Sequence, residues 1–336
     1  MSLAKKCLVL GGDGFLGSHL VDDLLARGYD VRVFDRFQKG RIKNLNHLKG
    51  KIEFYKGDFL NKWHVSRALK GVDYVFHFVS LSTPASTAND PQKEIKLNLE
   101  GTLQLLDLCV KHGVKKIIYP SSGGAVYGNA LDEVASETTQ ARPMSPYAVT
   151  KLAIEEHLHF YRRQYDLPFV IYRIANPYGE RQNPNGIQGA IPIFMKHMMQ
   201  NEALDLYGNT VRDYVYVKDV TNFIAENFSE KHKNSTYNVG SGRGTALFEL
   251  VLMLSKTTQS MPRIKRLAKR PFDVQKIVLD ISRANEEFGF YPMTRLEVGL
   301  EKTYAYLKEK YVHEPVVRTH WFDMHIWKFL KWNKVV

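Results

Sequence analysis

The seven residues Gly11–Gly17, GGDGFLG, decide how the chain is to be read. They follow a short apolar run, KCLVL, and lead into FLGSHLVDDLLARG, whose apolar residues recur at helical spacing until Gly28. Strand, glycine turn and helix start in that order make a place where backbone can approach a phosphate, because the free N–H groups and the dipole of the first helical turn favour an anion. Gly11 and Gly14 serve the turn and the approach, and Gly17 lets the helix pack close to the strand. The glycine spacing alone is a weak signal, and Asp35 strengthens it. Asp35 ends the next apolar run, DVRVFD, 18 residues beyond Gly17, where a carboxylate accepts ribose hydroxyls and repels a 2′-phosphate. Together these features predict a dinucleotide site that prefers NAD to NADP, a preference that the neighbouring Arg36 weakens. Asp58 ends the third run, KIEFYKGD, and is placed to accept the adenine amino group.

Outward from this loop, strand and helix patterns alternate. DYVFHFVS and KKIIYPSS are further strands, and residues 91–112 form a long helical pattern closed by Gly113. Strands separated by helix-length segments predict an α/β chain, a Rossmann-type doubly wound parallel sheet. After about residue 176 the order loosens into NPYGERQNPNGIQG, short strands (LDLYG, RDYVYV, TYNVGSG) and a helix near residues 245–256. We therefore expect an NAD-binding domain over 1–176 with later chain crossings back to it. A smaller mixed α/β lobe over 177–312 would hold mainly the substrate, and 313–336 would be a separate tail. The 336 residues, 44% of them apolar, suffice for two such lobes.

Composition narrows the partners. The net charge of +12 favours anionic ligands, from nucleotides to an acidic membrane surface, without choosing among them. The two cysteines, Cys7 and Cys109, have no partner at metal or redox spacing and read as small buried apolar residues in a reducing compartment. No residue set suggests a metal site. The N-terminal apolar run is too short for a signal peptide, and no stretch reaches the length of a membrane span, so a soluble cytoplasmic protein is expected. The tail, RTHWFDMHIWKFLKWNKVV, interleaves aromatics with Lys328, Lys331 and Lys334. It reads either as a helix docked on its own domain or a dimer partner, or as an interfacial helix in peripheral contact with an anionic membrane.

The chemistry is carried by SPYAVTK and PSSGGAVYG. Tyr147 and Lys151, four apart at the start of a helical pattern, share one face. An ammonium beside a phenol favours the phenolate, so Tyr147 is expected as a base near neutral pH, with Lys151 also free to hold a ribose. A lone YxxxK pair is weak evidence, but downstream of a dinucleotide loop it is strong.

With these segments in place the chain resembles the extended short-chain dehydrogenases/reductases. Within them it is similar to the UDP-glucose 4-epimerase-like enzymes of the NAD-dependent epimerase/dehydratase family. The resemblance runs over about residues 5–307 and leaves out the tail. It implies that Phe15, Leu16, Phe59, Val79, Asn98 and Ser121 join the glycines, Asp35, Arg36, Asp58, Tyr147 and Lys151 around NAD. It implies that Asn176 (in RIANPYGERQ), Arg212 and Tyr214 (in RDYVYVKDV), and Arg270 and Asp273 (in RPFD) hold a nucleotide-diphosphate sugar. Bidentate arginines suit a dianionic diphosphate. By resemblance the helices after Pro91 and Pro146 would form a homodimer interface, and Ile277 would lie where pocket size is set.

Such enzymes usually place a serine or threonine beside the reacting sugar oxygen. Aligned on VYG, that position is Gly123; counted 25 residues back from Tyr147, it is Ser122. A one-residue shift along a strand turns a side chain to the opposite face, so spacing leaves both open, with Ser122 the candidate. Gly123 and Gly124 supply no carboxylate for elimination or decarboxylation, which leaves reversible oxidation. The expected function is an NAD-dependent nucleotide-sugar 4-epimerase acting through Tyr147, Lys151 and Ser122. A dehydrogenase or reductase of the same fold, or a homologue that binds without turnover, is the alternative. A nucleic-acid binder ranks last, since no nucleic-acid module is recognisable.

Overall fold

The computed structural model describes residues 5–37, 42–130, 134–229, 232 and 235–311. The aromatic tail lies outside the described residues. Strand β1 (Lys6–Leu10) is buried from Cys7 to Leu10, and its side chains alternate between two cores: Cys7 and Val9 enter one, Leu8 and Leu10 the other. A strand with no solvent face belongs at the centre of a sheet covered on both sides. Around it run β2 (Asp30–Asp35), β3 (Glu53–Lys56), β4 (Tyr74–His77), β5 (Lys116–Ser122) and β6 (Phe169–Ile174). The smaller lobe contains β7 (Asn176–Tyr178), β8 (Ala203–Tyr207) and β9 (Val211–Tyr216). Strand β10 (Thr236–Val239) then returns to the large sheet, before β11 (Gly244–Ala246), β12 (Arg263–Leu267) and β13 (Lys276–Ile277). The seven-stranded order β10-β6-β5-β4-β1-β2-β3 is parallel throughout and reverses direction between β1 and β4. That reversal opens a crevice at the carboxyl ends of the strands.

Helices α1 (Phe15–Ala26), α2 (Lys62–Ala68), α3 (Pro91–Glu94), α4 (Glu100–His112), α5 (Gly123–Val126) and α6 (Pro146–Tyr165) belong to the first part of the chain. The second part contributes α7 (Ala190–Met199), α8 (Val217–Asn227), α9 (Leu247–Thr258), α10 (Ser282–Phe288) and α11 (Leu296–Tyr311). The long helical pattern of residues 91–112 is interrupted: a π turn, Ile95–Leu99, separates α3 from α4 and carries Asn98 inward. One face of the large sheet is covered by α1 and α8, the other by α2, α4 and α6. In the smaller lobe β9 pairs with β7, β11 and β13, β8 pairs with β12, and α7, α9 and α11 close a third core. The architecture is the expected doubly wound α/β sheet with a smaller mixed lobe. Cys7 and Cys109 are both free and buried, in line with their sequence reading.

A buried ionic cross-link ties the catalytic helix to the sheet. Glu155 on α6 receives the Arg173 guanidinium from β6, with Nη2 to Oε2 at 2.5 Å and Nε at 3.1 Å, and also the Ser121 hydroxyl from β5. Arg173 donates onward to the Tyr127 hydroxyl at 3.0 Å, which donates to Asn238 on β10 at 2.7 Å. Burial works against the Arg173 charge, and the hydrogen bonds and charge of Glu155 more than offset it. Replacing Arg173 by Met strands the carboxylate in the interior and should cost about 3–5 kcal/mol, seen as a fall in the urea midpoint. The exposed Arg162–Asp166 pair is the comparison, and its removal should change stability by less than about 1 kcal/mol.

Candidate active site

The carboxyl ends of β1, β4, β5 and β6 empty into one cleft of about 1580 Å³ that continues under the smaller lobe. This exceeds the roughly 300–1,000 Å³ of a single-ligand pocket and suits two ligands side by side. Gly11, Gly14, Phe15, Leu16 and Gly17 line one end. Gly11 has φ +75°, and a Cβ there would stand 2.9 Å from the backbone of Phe78 and Val79. A Cβ on Gly17 would collide with the Gly11 carbonyl oxygen, so only glycine lets α1 start this close to the loop. Gly14 caps α1, and no acidic side chain occupies the first turn to compete for its N–H groups. The bare backbone, the helix N-terminus and the width of the cleft fit a dinucleotide.

Asp35 stands at the tip of β2, where its carboxylate accepts the Asp13 N–H at 3.1 Å and the Arg36 N–H at 2.7 Å; burial raises its pKa. Val79 packs against Gly11. Asp35, Arg36, Asp58, Phe59, Val79 and Asn98 are not part of the cleft lining itself. Asp58 is exposed and accepts the Leu60 N–H at 3.1 Å, while Phe59 is buried against His77. Asn98 accepts the Leu81 N–H at 2.9 Å and donates to Ser82 and Glu94, each at 2.8 Å. Ser121 faces the cleft, but its hydroxyl is given to Glu155.

The Ser145 side chain caps α6 through the Ala148 N–H, and Pro146 occupies the first turn, so the helix begins just before Tyr147. Tyr147 and Lys151 therefore project from its first turns into the cleft. Lys151 Nζ donates to the Pro120 carbonyl at 3.0 Å and lies 4.6 Å from the Tyr119 ring and 5.8 Å from the Tyr147 ring. The expected easy phenolate is not what these groups produce by themselves. Burial pushes the Tyr147 phenol up to about 12, Glu94 adds to the rise, and the hydrogen bond from Ser122 opposes it. Burial also draws Lys151 down to about 8, against the pull of Glu155 and Glu94. Desolvation of both charges outweighs their help to each other.

Ser122 and Gly123 differ in facing direction. Ser122 lines the cleft beside Tyr147, and its hydroxyl works against the rise of the phenol's pKa. Gly123 is buried and faces away: a Cβ there would stand 2.5 Å from Leu279 and 3.0 Å from the Arg173 carbonyl oxygen. Gly124 does face the cleft, and a Cβ there would sit 3.3 Å from the Asn176 amide.

From the smaller lobe come Asn176, Arg212, Tyr214, Arg270 and Asp273, all lining the same cleft. Asn176 donates to the Asp213 carbonyl at 3.1 Å. Burial lowers the pKa of Arg212 and lifts Tyr214 to about 12. Arg270 gives Nε to Asp273 at 2.7 Å and lies over the Tyr207 ring at 4.3 Å, which fixes its guanidinium plane. Ile277 is fully buried in β13 beside Arg212 and does not line the cleft.

The family model described as NAD dependent epimerase/dehydratase family matches residues 7–240. The chain belongs to that family. It is 34% identical to a putative UDP-glucose 4-epimerase of Methanocaldococcus jannaschii, over 90% of this chain and 98% of that protein. Among solved structures it is similar to the UDP-glucose 4-epimerase of Thermus thermophilus in complex with NAD. That match has a TM-score of 0.85 and 34% identity, over 91% of this chain and 99% of that one. The UDP-glucose 4-epimerase of Thermotoga maritima with UDP-glucose is also similar, with a TM-score of 0.83 and 38% identity, over 90% of this chain and 99% of that one.

In this epimerase/dehydratase-family chain three acids escaped the sequence reading. Asp13, inside the glycine loop, accepts the N–H groups of Lys43, Asn44 and Leu45 at 2.6, 2.8 and 3.1 Å and straps the next loop to the first. Glu155 was readable as an acid four residues after Lys151, on the same helical face. Glu94 had no local signal. Among the described residues no group of three or more His, Cys, Asp or Glu could hold a metal, and no helix is long and apolar enough to cross a membrane.

The facing of β5 makes a sharp test. In a Ser122→Ala background, Gly123→Ser should fail to restore the lost activity and should lower the melting temperature, because its side chain meets Leu279 and not the phenol. Recovery of turnover would show that residue 123 reaches the reacting oxygen.

Proposed function

We propose that the protein is an NAD-dependent nucleotide-sugar 4-epimerase of the UDP-glucose/UDP-galactose type, N-acetyl and hexuronic forms included. One observation carries the reading: the Tyr147 phenol and the Ser122 hydroxyl share a cleft whose adjoining positions, Gly124 and Ala125, are bare. Neither position offers a carboxylate to start elimination or decarboxylation, and a side chain at Gly124 would press on the Asn176 amide. The named relatives support the same direction.

When bound, NAD supplies the hydride acceptor, and its positively charged nicotinamide favours ionisation of a nearby phenol. Tyr147 then takes the proton of the C4 hydroxyl as the C4 hydride departs, leaving a 4-ketone. Ser122 donates to the phenolate and so lowers the cost of forming it. Lys151 holds the ribose and contributes its ammonium charge. Arg212 and Arg270 grip the diphosphate, Asn176 positions it, and Tyr214 and Asp273 bound the nucleotide end. With the diphosphate held, the sugar turns over, and Tyr147 returns the proton as hydride comes back to the opposite face of C4.

We extend the reading to the assembly and its setting. Ile95 on the π turn and Val149, Phe160 and Tyr165 on α6 are large apolar side chains exposed on adjoining helices, which supports a homodimer formed there. A cytoplasmic supply of epimerised nucleotide sugar for polysaccharide synthesis fits such an enzyme.

The test is incubation with UDP-glucose, UDP-galactose and their N-acetyl and hexuronic forms without added cofactor, with products resolved by proton NMR. The C4 epimer should appear with no net NADH. Tyr147→Phe should lower kcat by about 10³-fold and Ser122→Ala by about 10²-fold. Net reduction of added NAD would indicate a dehydrogenase, and sugar binding without turnover would indicate a homologue that only binds.

A further inference from the structure

Beside Tyr147 and Lys151 lies a second, smaller cavity of about 10 Å³, the size of one water, lined by His77, Glu94, Asn98, Tyr119, Tyr147 and Lys151 among others. Glu94 is the acid in this wall. It ends α3, is 1% exposed, and points both carboxylate oxygens at partners from other segments. Oε1 accepts Asn98 Nδ2 at 2.8 Å, and Oε2 accepts the Thr87 hydroxyl at 2.6 Å. Thr87, also 1% exposed, is the underside of a tight turn. In that turn the Thr83 N–H donates to Ser86 Oγ at 2.8 Å, and the Ser86 N–H donates to the Thr83 carbonyl at 3.0 Å. The opposite surface of the turn, Thr83 to Ser86, lines the main cleft. Ser80, Tyr147 and Lys151 line both spaces, so this turn stands at the reacting end of the cleft.

We propose that Glu94 is a positioning residue for the epimerisation described above. Its buried carboxylate clamps the Thr83–Thr87 turn against the sugar and serves as counter-charge to Lys151. The proposal rests on the epimerase reading for its consequence, but its two parts are separately measurable.

The clamp and the charge make opposite demands on a substitution. Glu94→Gln keeps an acceptor for Asn98 and an amide that can donate to the Thr87 oxygen, while the charge is lost. Glu94→Asp keeps the charge and is one methylene too short for the clamp. The titratable groups that face Glu94 are His77 from β4, Tyr119 from β5, and Tyr147 and Lys151 from α6, with Glu155 one turn beyond Lys151. Lys93, Lys96 and Asp90 neighbour it along the chain and are exposed. Burial, with the Lys151 charge, holds His77 down at about 3, so this imidazole stays neutral in the working range. The groups left to respond are Tyr147 and Lys151, and a negative Glu94 raises both.

As base, Tyr147 must be ionised, so activity climbs with pH through its pKa; Lys151 must stay protonated, so activity falls with pH through its own. Removing the Glu94 charge lowers both, and the whole bell of kcat/KM moves to lower pH. The experiment uses NAD-loaded protein labelled with ¹³C at tyrosine Cζ, with the Tyr147 resonance assigned by its loss in Tyr147→Phe. In Glu94→Gln that resonance should titrate about one pH unit lower than in the parent, and the kcat/KM profile should shift with it. In Glu94→Asp the titration should stay in place. The calorimetric Kd for UDP-glucose should rise about fivefold in Glu94→Asp while the Kd for UDP is unchanged, since the turn meets only the sugar. An unshifted Tyr147 titration in Glu94→Gln, or an unchanged UDP-glucose Kd in Glu94→Asp, overturns the proposal. A parent protein that turns over no sugar overturns the epimerase reading instead, and the titration and calorimetry still decide the role of Glu94.

Discussion

The helix that carries Tyr147 is tied to the sheet by a buried ion pair, Arg173 with Glu155. α6 carries Tyr147 and Lys151 and packs Ile154, Leu158 and Tyr161 into the core, contacts that carry little directional information of their own. Glu155, one turn beyond Lys151, supplies it, because its carboxylate is met by a guanidinium from β6 and a hydroxyl from β5 at once. Inside a protein such a pair contributes little net stability, since the desolvation of two charges offsets their attraction. It contributes direction. A shifted helix would leave both charges unpaired, so the alternatives are excluded by several kcal/mol each. The same Arg173 reaches Tyr127 and through it Asn238, so the helix, three strands and the Gly123–Val126 turn share one frame.

Within that frame the site is built against its own charges. Tyr147 and Lys151 are each driven toward the neutral form by burial, to about 12 and about 8. A site in that condition keeps its phenol protonated when it stands alone. Ionisation of the phenol needs a positive charge beside it, and an oxidised nicotinamide is such a charge. On the proposed reading, a phenol that ionises only beside an oxidised nicotinamide would be best protonated again once hydride had left C4, which would protect the 4-ketone stage.

The large sheet was legible because its cues are local. Glycine turn, apolar run and helical stripe each sit within about twenty residues, and Asp35 follows the last glycine of the loop at a fixed distance. Tyr147 and Lys151 were legible for the same reason, as an i,i+4 pair. What was not legible depended on facing or on distant partners. Ser122 and Gly123 differ only in which side of β5 they occupy, and Leu279, far along the chain, reveals which. Glu94 looked like any acid on a surface helix until the π turn and Thr87 enclosed it. The burial that raises the Tyr147 phenol was not legible, because a sequence shows neighbours along a helix but not the depth at which the helix lies. The return of TYNV to the large sheet as β10 was equally hidden, since a short strand does not announce which sheet it joins.

That returning strand has a consequence for how the protein comes into being. β6 lies between β5 and β10, and β10 is translated only after β7, β8, β9 and the helices among them. On the ribosome, at about 5–20 residues per second, the sheet therefore waits several seconds with one flank of β6 unpaired. An unpaired flank of this kind, buried and apolar in the finished protein, is the surface through which nascent chains adhere to one another. The chain's large positive charge works against such encounters by mutual repulsion. The first part of the smaller lobe, β7 to β9 with α7, is thus an excursion held between two neighbouring strands of the larger one, and β11 to β13 join it afterwards. The open flank of β6 closes when Thr236–Val239 zips onto it, while Arg270 and Asp273, which complete the cleft, are still to be made.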